Sequence, residues 1–389
     1  MRSAHRAFGL GLAIAALLIP QACNNSYGIF EEVQKEREQI GEDYFKKKTV
    51  SSIVELGGNY YAATAHLYSR STTSGSSWSP VSIDGLSSYF VYGLAATSAA
   101  IYVSTDAGIY SYDGSTWTKL TSPTYTPGEN QSFYMDAVFT AGNEVYAVGH
   151  LYDDTDSSDS LNYYCLYHLV GTSFSETVAN MSSSTYFGGV LAESESIRGV
   201  AFDGASTYWF ASDDHLYSGT NNLSGSPTSY SLSGIWNICS TQNNDIYITT
   251  TGGYIYRNGT SDYADLADIP LSAVVEVPLT GSTWKLLVGT ETTDTDYDAE
   301  GYHEATTARA AISSTTFSDG EDGAVASSSS IYSSTVNDMA VHAFLYDGDL
   351  SSGTLFIGIS SYTSSGTHYG LYSSTWNSSS SSWSGWTAE

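Results

Sequence analysis

The chain has 389 residues, with 13 Lys or Arg against 41 Asp or Glu and a formal net charge of −28. Phosphates and anionic headgroups are held by Lys and Arg, so this balance argues against a nucleic-acid binder and against a basic lipid-surface patch; it favours cationic partners or divalent cations. Charged residues make up only 14% of the chain, and Ser, Thr, Tyr and Gly dominate, which is a strand-and-turn composition.

Residues 1–22 read as a signal peptide. A basic "MRSAHR" leads into the apolar run "AFGLGLAIAALLI", which is short for a membrane span and is followed by "PQAC". Ala22 before Cys23 resembles the cleavage site of bacterial lipoproteins. With Pro20 and Gln21 ahead of it, the site looks like the loose form found in spirochaete lipoproteins. The resemblance implies that Cys23 is acylated and that the protein is lipid-anchored in the cell envelope, at the outer membrane. Ordinary cleavage after Ala22 fits worse, because Pro20 would stand three residues before the cut. Residues 23–48 then form a tether and an amphipathic helix. Phe30, Val33, Ile40 and Tyr44 fall near one face; Glu31 and Glu32 lie at its start and Lys46 to Lys48 at its end, as the helix dipole favours.

Residues 49–389 repeat. The pattern apolar, variable, mostly small, apolar recurs as "VSSI" at Val50, "VYGL" at Val91, "MDAV" at Met135, "IRGV" at Ile197, "IWNI" at Ile235, "LSAV" at Leu271 and "VNDM" at Val336. A second apolar run follows each, from "YYAAT" at Tyr60 to "LFIGI" at Leu355, and most copies add a third run ending in an aromatic residue. Seven units of about 40 residues, each made of short β runs, predict an all-β fold: a seven-bladed β-propeller of four-stranded blades. The first strand of each blade is expected to be buried on both faces by its neighbours. A β-sandwich would space its strands similarly but would not give seven units with the same internal order.

Within the second unit, "SYDGSTW" (Ser111 to Trp117) resembles the Asp-box turn of sialidases, with one residue missing between Asp and Gly. The resemblance implies a structural turn away from any active site. Cys165 and Cys239 fall in different units and at different depths, which predicts two buried free thiols.

Long insertions fall at His150–Asn162, Asn180–Ser196, Thr290–Glu304, Ser313–Thr335 and Ser361–Tyr369, all on loops that share one face. Asp153, Asp154, Asp156 and Asp159 lie in the first of these, and Asp294, Asp296, Tyr297, Asp298 and Glu300 in the third. "DTDYDAEG" resembles the start of an EF-hand loop and implies Ca²⁺ on Asp294, Asp296, Asp298 and Glu300; Ala299 and Ala305 stand where that loop has its Gly and Glu, so a solvated acidic loop is the competing reading. The variable second positions of the seven first strands, Ser51, Tyr92, Asp136, Arg198, Trp236, Ser272 and Asn337, are expected near the channel mouth on the same face, where they would hold a sugar or a peptide end. The competing reading is an Asp136–Arg198 ion pair with the aromatics packed.

From Thr49 on the basic residues are Arg70, Lys119, Arg198, Arg257, Lys285 and Arg309, so the clustered arginines of sialidase chemistry are lacking; "GxSxG", "HExxH" and P-loop motifs are lacking too. The expected function is a lipid-anchored, non-catalytic platform that binds a protein or glycan partner through the acidic face carrying these long loops, Asp153, Asp154, Asp156, Asp159 and Tyr297 included. The alternatives are an envelope scaffold and, less favoured, a sialidase-like hydrolase.

Overall fold

The chain divides into two compact units, Met1–Tyr44 and Phe45–Glu389. The computed structural model describes residues 45–389 except 46–47, 74, 127–130, 154–160, 183–194, 267–268, 279–282, 292–300, 308–310, 318–338, 349–352, 362–369, 378–381 and 385. The signal peptide, Cys23 and the expected helix lie outside the described residues.

Phe45–Glu389 is an all-β, seven-bladed propeller. The blades run Ser52–Pro80, Val91–Lys119, Gln131–Ser182, Ile197–Ser231, Ile235–Asp265, Leu271–Thr307 and Met339–Ala388, and every sheet is an antiparallel meander taken from one contiguous stretch. Blade six shows three strands among the described residues. Blade seven adds two short strands, Ser382–Trp383 and Thr387–Ala388, both paired with Gly370–Asn377. The inner strands pack side by side around the ring, and that of blade seven meets that of blade one.

Burial corrects one expectation. The second strand of each blade is the more continuously buried, as in Ile246–Thr250, where all five residues are covered. The inner strand is interrupted: in Val91–Ala96, Val91 and Leu94 are buried but Tyr92 is exposed. Apolar clusters fill the spaces between sheets. Leu56, Tyr61, Leu67, Ile83, Leu94 and Val103 join blades one and two; each such side chain contributes roughly 1.5–3 kcal/mol when removed from water. The small third residue of the pattern lets neighbouring inner strands approach. A Cβ on Gly93 would stand 3.3 Å from the Val138 backbone nitrogen in the next blade.

The turn at Asp113–Trp117 is held by bonds to its own near neighbours. Asp113 Oδ1 accepts from the backbone N–H groups of Ser115 and Thr116, each at 2.8 Å, and from the Ser115 hydroxyl. These bonds, that of the Ser115 hydroxyl foremost, hold the Asp113 carboxyl below its usual range. Gly114 takes φ +94° to make the turn, and Trp117 stacks on Tyr112 at 4.8 Å. Cys165 is a buried free thiol, whereas Cys239 is free but half-buried, which corrects the expectation for the second; desolvation pushes each up to about 12 and so holds it in the unreactive protonated form.

At the outer edge of blade three, His168 lies between two carboxylates, with Nε2 2.6 Å from Glu144 and Nδ1 2.7 Å from Glu176. The His168 bond, then one from the Asn222 amide, lowers the Glu176 pKa. A carboxylate depressed in the folded state stabilises above its unfolded pKa, about 4.3, and loses that contribution as pH falls through its folded value. Glu176→Gln should therefore lower the urea midpoint at pH 6, with the difference from wild type closing steadily below about pH 4.3. A pH-independent difference would rule out this linkage.

A candidate binding mouth built on β-bulges

The candidate positions share a backbone cause. In blade two Val91 pairs with Thr105 and Gly93 with Ser104, so Tyr92 has no partner across the ladder. The same slip leaves out Asp136 in blade three, Arg198 in blade four and Trp236 in blade five. In blade six it falls at Ser272 and Ala273. In blade one the Ser51 amide donates to the Ala63 carbonyl while Ser52 is the residue paired with Ala63 across the ladder. A bulge re-aims the extra side chain out of the ladder, so the ladder does not constrain the variable position of the sequence pattern; in blade six contact with the next blade does.

Blade seven corrects the sequence reading. Asn337 lies outside the described residues, and the bulge falls on His342, between Val341↔Ile359 and Ala343↔Gly358. "VHAF", Val341 to Phe344, fits the pattern as well as "VNDM" does and stands closer to the second run at Leu355, as in the other blades. That spacing was the available signal.

A second set of positions follows the end of each second strand's pairing with the bulge: Asp106, His150, Asp213, Glu291 and Ser360. The two sets meet. Asp136 Oδ2 lies 2.9 Å from His150 Nδ1, and the His150 ring stacks on Tyr164 at 4.5 Å and 18°. Arg198 Nε donates to Asp213, and the guanidinium lies over Trp236 at 4.9 Å. The expected Asp136–Arg198 pair is not formed, because each residue finds its partner across its own blade. His342 Nδ1 is 2.7 Å from Glu291 Oε2, and Nε2 is 2.5 Å from Ser360 Oγ.

Beside these bulges two aromatics stand open: Tyr92 is 39% exposed and Tyr134, missed by the sequence reading, 46%. Tyr92 leans on Phe90 at 5.3 Å, and the Tyr134 ring is 6.5 Å from His150. Ser51 is exposed, whereas Ser272 is buried and donates to the Val341 carbonyl, so its role is to join blades six and seven. Asp153 ends a strand rather than lying in a loop, since the hairpin of blade three extends to Asp153 and resumes at Leu161. Asp154, Asp156, Asp159, Asp294, Asp296, Tyr297, Asp298 and Glu300 lie outside the described residues. Among the described residues no group of three or more His, Cys, Asp or Glu is placed to hold a metal ion.

The described cations are committed within the propeller. Arg70 pairs with Glu389, Arg198 with Asp213, Arg257 with Asp245 and Lys285 with Glu304, and Lys119 lies over the Tyr110 ring. The acid excess is therefore not offset by these cations, and the mouth sets its open aromatic faces in a chain of negative net charge.

No protein-family model matches the sequence, and no curated protein matches it. Among solved structures the chain is similar to an ancestral GH74 enzyme, with a TM-score of 0.52 and 17% identity over 90% of this chain and 47% of that one; it spans about half of that enzyme's length. It is also similar to YCF48 bound to D1 peptide, with a TM-score of 0.47 and 11% identity over 84% of this chain and 92% of that one. A luciferin-regenerating enzyme gives 0.44 and 10%, over 68% and 92%. At such identities the likeness establishes the fold alone.

Proposed function

We propose that this protein is a lipid-anchored component of the cell envelope, at the outer membrane, whose propeller acts as a binding platform for a protein or glycan through the bulge-built mouth. The observation that carries the reading is the bulge at the same register in the first strands of blades two to five, which takes Tyr92, Asp136, Arg198 and Trp236 out of the ladder. Aromatic faces beside carboxylates stack on sugar rings or take cationic side chains, and the charge balance disfavours an anionic partner. The anchor rests on Cys23 at the end of the apolar leader. Among the described residues no helix is long and apolar enough to cross a membrane.

The test is capture from envelope extracts by the purified chain. Tyr92→Ala with Tyr134→Ala should lower partner capture by about tenfold or more, as loss of aromatic anchors does, with the melting temperature unchanged. Capture that survives these substitutions would remove the mouth from the reading. Failure of the chain to partition with detergent unless Cys23 is present would support the anchor, and equal partitioning of Cys23→Ser would sink it.

A further inference from the structure

Beyond binding, the mouth carries a second constellation at the junction of blades six and seven. Glu291, His342 and Ser360 stand in the order acid, imidazole, hydroxyl, joined by contacts of 2.7 and 2.5 Å. A carboxylate only accepts, so Nδ1 carries hydrogen toward Glu291, and Nε2 is left as the acceptor for the Ser360 hydroxyl proton. That is the relation of nucleophile, base and orienting group on which serine acyl transfer rests, recognised by geometry and not by sequence order.

The arrangement differs from a second serine–histidine–glutamate group among the described residues. In blade four Ser212 Oγ and His215 Nδ1 both turn to the same Glu195 oxygen, so the imidazole is not positioned to take the serine proton. Only at His342 does the ring lie between the other two groups. The bulge is the cause. It turns His342 out of the ladder of blade seven, while Glu291 arrives from the end of the second strand of blade six and Ser360 from that of blade seven. Neighbouring blades bring the parts together without any local motif.

We propose that Ser360 is a nucleophile for short-chain carboxylic esters, with His342 as its general base and Glu291 as the positioning residue. Ser360 Oγ bonds to the ester carbonyl carbon as its proton passes to His342 Nε2. The carbon–alkoxy bond then breaks, and the leaving oxygen takes the proton from Nε2. Water attacks the acyl-serine and gives a proton to His342. The acyl–Oγ bond breaks, the carboxylic acid departs, and the proton returns to Ser360. Glu291 balances the imidazolium charge through Nδ1–H throughout. Ser360 is 3% exposed, so little room is left beside it and a short acyl group is favoured over a long one. The negative net charge of the chain favours a neutral or cationic ester over an anionic one.

The experiment is hydrolysis of p-nitrophenyl acetate by the full chain, with peptide mapping of the acetyl adduct. The expected result is a single adduct on Ser360, with acetate turned over on the order of tenfold or more faster than octanoate. Ser360→Ala and His342→Gln should each lose on the order of 10²-fold or more. Added imidazole should restore part of the rate to His342→Ala, which a purely structural histidine would not allow. Glu291→Gln should lower kcat and leave KM unchanged. A folded wild-type chain without hydrolysis above buffer, a rate unaffected by Ser360→Ala, or an adduct mapped elsewhere would each overturn the proposal. The mapping needs no variant, so a poorly folding substitution does not weaken it. Retained partner capture by Ser360→Ala keeps this outcome separate from the fate of the binding platform.

Discussion

Arg70→Ala is expected to open the ring between blades one and seven. Each sheet is drawn from its own stretch of chain, so among the described residues no strand from one end completes the sheet of the other. The seam is closed by side chains instead. The Arg70 guanidinium lies over Tyr60, Trp78 and Phe356 at 5.4, 5.2 and 5.3 Å, and it pairs with Glu389. Trp78 Nε1 donates to the same carboxylate at 2.9 Å, and Tyr60 donates to Asp347 of blade seven. The Glu389 side chain is 8% exposed. Removing Arg70 leaves that carboxylate without its cation and three rings without their cover, a loss of roughly 3–5 kcal/mol. The melting temperature should fall by about 5 °C or more, and amide exchange should quicken first in Asn59–Ala63 and Gly353–Ser361. Arg70→Lys should recover only part, since an ammonium cannot present a flat face to the rings. Unchanged melting with uniform exchange would show that the apolar interface alone holds the seam.

The second large effect lies between blades five and six. Glu276 is 2% exposed. Its carboxylate accepts from Thr241 Oγ1 at 2.7 Å, Asn243 Nδ2 at 2.6 Å and Tyr247 Oη at 2.9 Å. Burial first, and then the Glu276 charge, push the Tyr247 hydroxyl far above its usual range, so it stays a donor at every accessible pH. Glu276→Leu removes the common acceptor and leaves the buried Tyr247 hydroxyl unmatched, with the half-buried Thr241 and Asn243 donors turned to water, so a loss of about 1–3 kcal/mol is expected. Urea unfolding reads it directly. The triple variant Glu276→Leu, Tyr247→Phe, Thr241→Val should recover much of the loss, because unmatched donors cost more than a network replaced by apolar atoms. If the single variant is as stable as wild type, the network contributes nothing net.

The pattern "IYITT" and its six counterparts carried the strands, and the recurrence of "VYGL"-like tetrads carried the number of blades, because both follow from local burial and from a unit that repeats. The Asp113–Trp117 turn was legible for the same reason: its bonds are all to near neighbours. The variable position of the tetrad could be marked as a candidate, but its meaning could not. Whether Tyr92 or Arg198 faces the core or the rim depends on a one-residue slip in pairing with the second strand, and alternation along a single strand does not show a slip. His342 was missed through this, since two tetrads five residues apart both fitted.

What the sequence determined by itself was the all-β class, the sevenfold repeat and the acidic balance, since composition and periodicity act within a blade's length of chain. The tertiary structure decided which side chains meet. Arg70 reaches Glu389 across 319 residues, and Glu291 meets His342 only because adjacent sheets bring the end of one second strand beside the bulge of the next inner strand. Those encounters are set by ring closure and by the register of the bulges, and both depend on the whole circle of blades being in place.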